Sequence, residues 1–214
     1  MKILHITSKR ILTSGARFVS TVLNPLLMPT YGALIVLWAS ILCLYPTGTR
    51  FAVLLIIMGL TCIMPMVVIG ALQYFGLIRD KVLAQRRERT IPYVAALLCY
   101  VAAAVYLNRV HAPQWFVMFM MGSALAVLAT LLINLRWKIS AHMVGISGVV
   151  ALVLQLHKQS LNALDLELLL CFTILLAGCL GTARLVLNRH NVLQVLAGAV
   201  VGYVCVDLVM KFLS

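Results

Sequence analysis

Three short polar segments in an otherwise apolar chain contain the residues that could do chemistry. Residues 79–93 read RDKVLAQRRERTIPY, residues 138–145 read KISAHMVG, and residues 183–194 read ARLVLNRHNVLQ. We call them the first, second and third polar segments. The second and third carry His142 and His190, each close to arginine, lysine or serine. Ionisable residues at a membrane edge are costly to place and indicate a functional site. Imidazoles beside cations suit the binding and transfer of phosphate.

The spacing in the third polar segment predicts a bound anion. Arg184 precedes His190 by six residues and Gln194 follows it by four. The segment ends one apolar stretch and opens the next, so we expect His190 at or just before a helix N-terminus. Free backbone N–H groups and the helix dipole favour anions there. Gln194 lies one helical turn further on and can face back toward the ring. His142, two residues after Ser140, has the same placement at the head of another apolar stretch. Either histidine alone could be a side chain at the membrane interface whose ring nitrogens have ordinary hydrogen-bond partners. Two histidines at the same membrane depth, each beside cations, favour a shared site.

Composition defines the class of protein. Hydrophobic residues make up 64% of the 214 positions, charged residues only 10%, and the mean hydropathy is +1.08. No soluble core of this size needs so much apolar surface, so we predict an all-α polytopic membrane bundle of six or seven transmembrane helices. The chain reads as one integral-membrane domain, 1–214, whose basic segment 1–17 lacks the features of a cleavable signal peptide. Seven apolar stretches come close to or exceed the length of about 20 residues that a span requires: 18–45, 51–78, 91–108, 114–135, 141–157, 165–187 and 191–212.

Three residue types predict details of the bundle. Pro25 and Pro29 should kink the first span and Pro65 the second, because proline removes a backbone donor and clashes with the preceding turn. The six cysteines show neither CxxC nor histidine-paired spacing, so we expect buried free thiols and no metal site. Glycines predict close approach of the last three helices: Gly145, Gly148, Gly178, Gly181, Gly198 and Gly202.

Charge predicts the orientation. The net charge is +12, and with seven alternating spans thirteen of the seventeen lysines and arginines fall on the side of the N-terminus. The positive-inside rule then places the N-terminus and all three polar segments in the cytoplasm. Nine of the thirteen lie in or beside the polar segments, and without them the count is four against four. The basic N-terminal segment is suited to anionic lipid headgroups of the bilayer. We do not expect nucleic-acid binding, because no basic soluble module presents the charge.

The second and third polar segments resemble two signature motifs of the type 2 phosphatidic acid phosphatase (PAP2) superfamily, the membrane lipid-phosphate phosphatases related to vanadium haloperoxidases. The family's second motif, Pro-Ser-Gly-His, aligns with Ile-Ser-Ala-His at residues 139–142. Its third motif is Ser-Arg, five residues, His, three residues, Asp. The residues at that spacing here are Ala183, Arg184, His190 and Gln194.

The family's first motif, Lys, six residues, Arg-Pro, is matched loosely. Lys81 and Arg89 are one residue too far apart, and Pro92 comes three residues after Arg89. Arg86 or Arg87 could take the place of Lys81. The strings NPLLMPTYG and ERTIPY add a likeness to divergent members of the kind found in Bacteroidetes-type bacteria.

The resemblance covers roughly residues 79–202 and implies a PAP2-like helical core in the inner membrane of a bacterium. It also implies a metal-independent phosphatase without a cofactor, acting on a polyprenyl (di)phosphate or a phosphatidate-like lipid. His190 would attack phosphorus to form a phosphohistidine. His142 would protonate the leaving lipid oxygen and later activate water. The other matching residues would hold the phosphoryl oxygens: Arg184, Lys81, Arg89 and Ser140.

One departure from the family leaves the activity open. The family's aspartate orients the nucleophilic imidazole, whereas Gln194 accepts the ring N–H without bringing a charge, so weak or altered turnover is expected. Asp80 and Glu88 are the two carboxylates predicted on this face, too few for a Mg²⁺-dependent centre such as that of the Asp-rich prenyl transferases or the CDP-alcohol transferases. The alternative is a non-catalytic relative that binds or translocates anionic lipids. A third hypothesis is a structural or assembly role in the membrane.

Overall fold

The structure is a computed structural model that describes the backbone of residues 2–76, 89–160 and 165–212, with side chains from residue 11 onward. Within these ranges all regular structure is helical. The α-helices are α1 (Lys2–Val22), α2 (Met28–Ala39), α3 (Thr47–Met58), α4 (Met64–Tyr74), α5 (Thr90–Arg109), α6 (Gln114–Arg136), α7 (Ala141–Lys158), α8 (Leu166–Val186) and α9 (Val192–Phe212).

Seven helical stretches are long and apolar enough to cross a membrane. Five of them are the single helices α5 to α9. The first two, Ile11–Ala39 and Thr47–Tyr74, each contain an interruption. The prediction of an all-α membrane bundle with six or seven spans is confirmed. Short connections join the last five helices and make sequence neighbours antiparallel, so α6 and α8 end at the face where α7 and α9 begin.

The first interruption is a break rather than the predicted kink. α1 ends at Val22, and a 3₁₀ turn, Pro25–Leu27, precedes α2. The Asn24 side chain accepts a hydrogen bond of 3.0 Å from the backbone N–H of Leu26 and caps this turn. Proline has no N–H to continue the preceding helix, and an asparagine cap stabilises a new start. Together they end one helix and begin another.

The second interruption lies next to Pro65, where a kink was predicted. A π-helical turn, Gly59–Ile63, joins α3 to α4, and Pro65 is in the first turn of α4. Proline cannot donate to the carbonyl four residues earlier, at Thr61, and its ring crowds that oxygen. A π-helical turn widens the helix at that point and absorbs the mismatch.

Close backbone contact joins α7 to α9 at the face that carries the histidines. A Cβ added to Gly198 would lie 2.7 Å from the carbonyl oxygen of Ser140, and one added to Gly202 would overlap the carbonyl oxygen of Val144. The backbone N–H of Ser140 also donates to the carbonyl of Gln194 at 3.3 Å. The N-terminal ends of the two helices are therefore held side by side.

The predicted role of the glycines is confirmed for four of the six. These four line contacts among α7, α8 and α9: Gly148, Gly181, Gly198 and Gly202. The prediction is wrong for Gly145, which packs against Met28 at the start of α2 and against Pro25 in the turn before it. It is also wrong for Gly178, where an added Cβ would meet nothing within 4 Å. Helical spacing alone does not reveal which neighbour a glycine faces.

The cysteines are free thiols. Cys62 is buried, but Cys171 and Cys179 are exposed, so the prediction of burial is wrong for these two. Both lie on α8, a peripheral helix with much of its apolar surface exposed.

Candidate active site

The residues that open α9 form a reciprocal cap that also fixes the ring of His190. The side-chain oxygen of Asn191 accepts from the backbone N–H of Gln194 at 2.9 Å, and Gln194 Oε1 accepts from the N–H of Asn191 at 3.4 Å, as in a capping box. The same Oε1 lies 3.1 Å from Nδ1 of His190. Because an amide oxygen only accepts, Nδ1 carries the proton and Nε2 is the free base of the neutral ring. The hydrogen bond predicted between these two side chains is present.

His190 is buried with 8% of its surface exposed, and it lines a cavity. Burial lowers the pKa of His190 to about 4, the hydrogen bond that its Nδ1–H donates to Gln194 opposes that shift, and the nearby cations Arg184 and Lys138 add to it. Water stabilises the charged imidazolium, so losing that water favours the neutral form. At neutral pH the ring is uncharged, which is the form that a nucleophile requires.

His142, the second residue of α7, is held by the main chain of α1. Its Nε2 lies 3.1 Å from the carbonyl oxygen of Ser20. That carbonyl is in the last turn of α1, where helix carbonyls lack an intrahelical partner. A carbonyl only accepts, so Nε2 carries the proton and Nδ1 is left to exchange protons. No sequence motif indicates this main-chain partner 122 positions away.

Three buried donors beside the histidines have no hydrogen-bond partner among the described residues. They are Nε of Arg184, Oγ of Ser20 and Oγ of Ser140, which is fully buried. Buried polar groups nearly always have partners, and leaving one unpaired costs about 1–3 kcal/mol. Arg184 also lines the cavity. The geometry therefore suits a ligand with several acceptor oxygens.

The positive charge around the cavity lacks a neighbouring carboxylate in the part of the chain that the structure describes. Arg89 lines the cavity and hydrogen-bonds the side chain of Tyr93. Burial lowers the pKa of Lys138, and the repulsion of Arg89, Arg184 and Arg189 lowers it further. The described carboxylates are not part of the cavity lining: Asp165, Glu167 and Asp207. Such a concentration of like charge favours a bound anion.

The structure brings most of the predicted site residues together. The residues lining one cavity of about 500 Å³ include Arg89, His142, Arg184 and His190. Ser140 and Gln194 adjoin them through the contacts given above. Lys81 lies outside the described residues, as do Arg86 and Arg87. No group of three or more potential metal ligands occurs within residues 11–76, 89–160 and 165–212.

Besides the carbonyl of Ser20, four side chains at the site were missed by the sequence prediction. Lys138 and Arg189 belong to the second and third polar segments, but neither occupies a motif position. Tyr93 closes the first segment, and Asn191 follows His190 directly. The Asn-x-x-Gln pattern at residues 191–194 is the signal that could have revealed the cap.

Residues 120–214 match the family model of the PAP2 superfamily. The match includes the second and third polar segments and leaves out the first. The predicted resemblance to this superfamily is thereby confirmed. It is a superfamily of phosphatase type, whose members generally hydrolyse phosphoesters. Neither curated proteins nor solved structures gave a match to the chain.

Proposed function

We propose that the protein is a membrane lipid-phosphate phosphatase that acts through a phosphohistidine on His190, without a metal ion. Its substrate is a polyprenyl (di)phosphate or a phosphatidate-like lipid. The observation that carries the proposal is the neutral, buried His190 whose Nδ1 is bonded to Gln194. The unpaired donors of Arg184 and Ser140 beside it supply the binding site for phosphoryl oxygens.

In the first step the lone pair on Nε2 of His190 forms a bond to phosphorus, and the bond from phosphorus to the lipid oxygen breaks. His142 acts in its doubly protonated form, which the negative charge of the bound phosphate favours, and gives a proton to that oxygen as it leaves. Because Ser20 holds the Nε2 proton of His142, the proton that moves comes from Nδ1. The guanidinium of Arg184 stabilises the charge on the equatorial oxygens.

In the second step water attacks the phosphorus of the phosphohistidine. Nδ1 of His142 now accepts a proton from that water, and the bond between phosphorus and Nε2 of His190 breaks. Inorganic phosphate leaves, and both rings return to their starting forms. Nδ1 of His142 is thus the general acid of the first step and the general base of the second.

Gln194 favours a second candidate function, a lipid-phosphate binder that does not turn over. A carboxylate at this position would stabilise the imidazolium character that develops on His190, whereas an amide gives only a hydrogen bond. Loss of a comparable orienting carboxylate in a serine-protease triad lowers turnover by about 10⁴. The cations that would bind the anion do not depend on this residue.

Phosphate release in detergent with EDTA present separates the candidates. Wild-type protein should release phosphate from a panel of lipid phosphates, and His190→Ala should abolish it. His157→Ala is the matched control, since His157 lies at the opposite end of α7. Tight binding without release would favour the binder. Absence of both binding and release would favour a structural role.

A further inference from the structure

The cavity that holds the two histidines continues deep into the bundle. On α6 its lining runs from Thr130 down to Phe119, which is about 16 Å at 1.5 Å per residue. On α5 it runs from Pro92 to Tyr100, about 12 Å by the same rise. The hydrocarbon core of a bilayer is about 30 Å thick, so the cavity reaches about halfway across.

Each hydroxyl on the described deep walls already has a main-chain acceptor, and that of Tyr100 donates to the carbonyl of Pro25 at 3.5 Å. The Ser123 hydroxyl donates to the carbonyl of Phe119 at 2.9 Å, and the Thr130 hydroxyl donates to the carbonyl of Ala126 at 2.7 Å. Hydrocarbon side chains make up most of the remaining deep lining, including Met66, Ala96, Val127, Val149 and Val206. The cavity is therefore cationic at one end and apolar at the other.

The floor of the cavity is rigidly packed. Phe119 is 1% exposed, and Gly32 of α2 is pressed against its ring. Val206 is also 1% exposed and is backed by Gly122 and Gly148. Neither side chain has space to move aside, because the backbone of a neighbouring helix lies directly behind it.

We infer that this cavity binds the hydrocarbon chain of a single-chain lipid phosphate inside the bundle, and that its floor at Phe119 and Val206 limits the chain length. The inference rests on the proposed function for the position of the phosphate at His190. A pocket of about 500 Å³ is within the usual range for a bound small molecule, roughly 300–1,000 Å³. An acidic head and an apolar chain match its two ends.

The wall formed by α4 is open toward the surroundings. Met66 and Gly70 line the cavity and are themselves exposed, and a Cβ added to Gly70 would meet nothing within 4 Å. A chain can pass this wall from the bilayer without crossing water. The same open space admits a larger side chain that would obstruct the passage.

The floor is tested with Ser123→Leu, which adds bulk at depth and loses only a hydrogen bond to its own helix. Turnover in nanodiscs is measured for butyl, octyl, dodecyl and hexadecyl phosphate. Wild-type kcat/KM should rise at least about tenfold from butyl to octyl phosphate and fall again for hexadecyl phosphate, whose extended chain is longer than the cavity. Ser123→Leu should lower kcat/KM for the two longest chains about tenfold or more, since pocket sterics discriminate by such factors. Butyl phosphate should change by less than about twofold, given its distance from the substituted site.

Thr182→Leu is the matched control for the floor. The Thr182 hydroxyl also donates to the carbonyl four residues earlier at 2.9 Å, but this residue is exposed on α8 and is not part of the cavity lining. It should follow wild type across the series. Equal losses at every chain length in Ser123→Leu, or no loss at any, would overturn the inference.

The open wall is tested with Gly70→Leu against Gly178→Leu. Both glycines lie on helices, and neither would create a contact within 4 Å on gaining a Cβ. Of the two, Gly70 lines the cavity and Gly178 does not. Gly70→Leu should lower kcat/KM for the long chains several-fold, and Gly178→Leu should not. If both variants have the same kcat/KM for the long chains, the lipid chain does not enter past α4.

Failure of the chain site and failure of the proposed function give different results. Butyl phosphate turnover without any dependence on chain length would leave the phosphatase and overturn the chain site. If no phosphate is released from any substrate, the phosphatase fails. The chain site is then judged by the rise in Tm on adding dodecyl phosphate. That rise should be clear in wild type and smaller in Ser123→Leu, and its absence in wild type would overturn the inference.

Discussion

Gln194 has two structural tasks that can be separated experimentally. Its side-chain oxygen closes the reciprocal cap with Asn191 and also accepts the Nδ1 proton of His190. The first task stabilises the start of α9. The second leaves Nε2 as the free base of the ring and stabilises positive charge on it.

Gln194→Leu removes both tasks and should lower turnover by orders of magnitude while binding of lipid phosphate survives. Gln194→Asp keeps an acceptor, adds a negative charge beside the imidazolium, and should raise turnover or leave it unchanged. Asn191→Ala is the control: it loses a cap, worth about 1 kcal/mol, and keeps the bond to His190. The rate of phosphate release measures the orienting role in each variant, and Tm measures the loss of the helix cap. Wild-type turnover in Gln194→Leu would defeat the orienting role.

Protonation of His190 links pH to both stability and activity. Its pKa of about 4 in the folded protein is below the ordinary value of 6.5. As pH falls below 6.5, His190 binds a proton in the unfolded chain but stays neutral in the folded protein. The free energy of unfolding therefore falls, by on the order of 2 kcal/mol near pH 5. His190→Gln should not show this loss, and unfolding at a series of pH values measures the difference.

The same pKa predicts the acidic limit of catalysis. Nε2 stays unprotonated down to about pH 4, so the acidic limb of kcat/KM assigned to the nucleophile should lie near that pH. Removing the hydrogen bond that His190 donates to Gln194 should move the limb to still lower pH, because that bond raises the pKa of His190. An acidic limb near the ordinary histidine pKa would contradict the burial of the ring.

At the scale of helices, the contact between α7 and α9 sets the distance between the histidines. Gly202→Ala would place a Cβ against the carbonyl oxygen of Val144, so the two helices must separate. Overpacking of this kind costs about 1–3 kcal/mol, and turnover should fall with the displaced rings. Gly178→Ala, in open space, should be neutral or slightly stabilising because alanine favours helix. Tm and phosphate release measure both variants, and equal Tm values would contradict the close contact.

Sequence patterns predicted some helices and contacts well for physical reasons. A span must be apolar over the thickness of the bilayer, so hydropathy alone located all seven stretches. The bond from His190 to Gln194 joins side chains four residues apart, a separation that helix geometry brings together. The carbonyl of Ser20 and the partner of Gly145 come from distant parts of the chain. A sequence pattern does not show which distant residue a side chain or a glycine will contact. These two contacts could therefore be found only in the folded structure.

At the scale of the whole molecule, the distribution of cations predicts that the polar face is cytoplasmic. Single cysteines at Arg189 and His111, at opposite ends of the bundle, test this in a cysteine-free background. An impermeant maleimide should label His111→Cys in intact cells and Arg189→Cys only after permeabilisation. The reverse pattern would show that the cations of the polar segments serve the site rather than the topology.

The phosphoryl group on His190 is the central claim and can be observed directly. Wild-type protein is mixed with dodecyl phosphate in EDTA, quenched in alkali during turnover, and digested for mass spectrometry. We expect a phosphohistidine on the peptide that contains residue 190, present also in His157→Ala and absent from His190→Ala. Steady release of phosphate with no phosphoryl group on His190, or with one on another residue, would contradict the account.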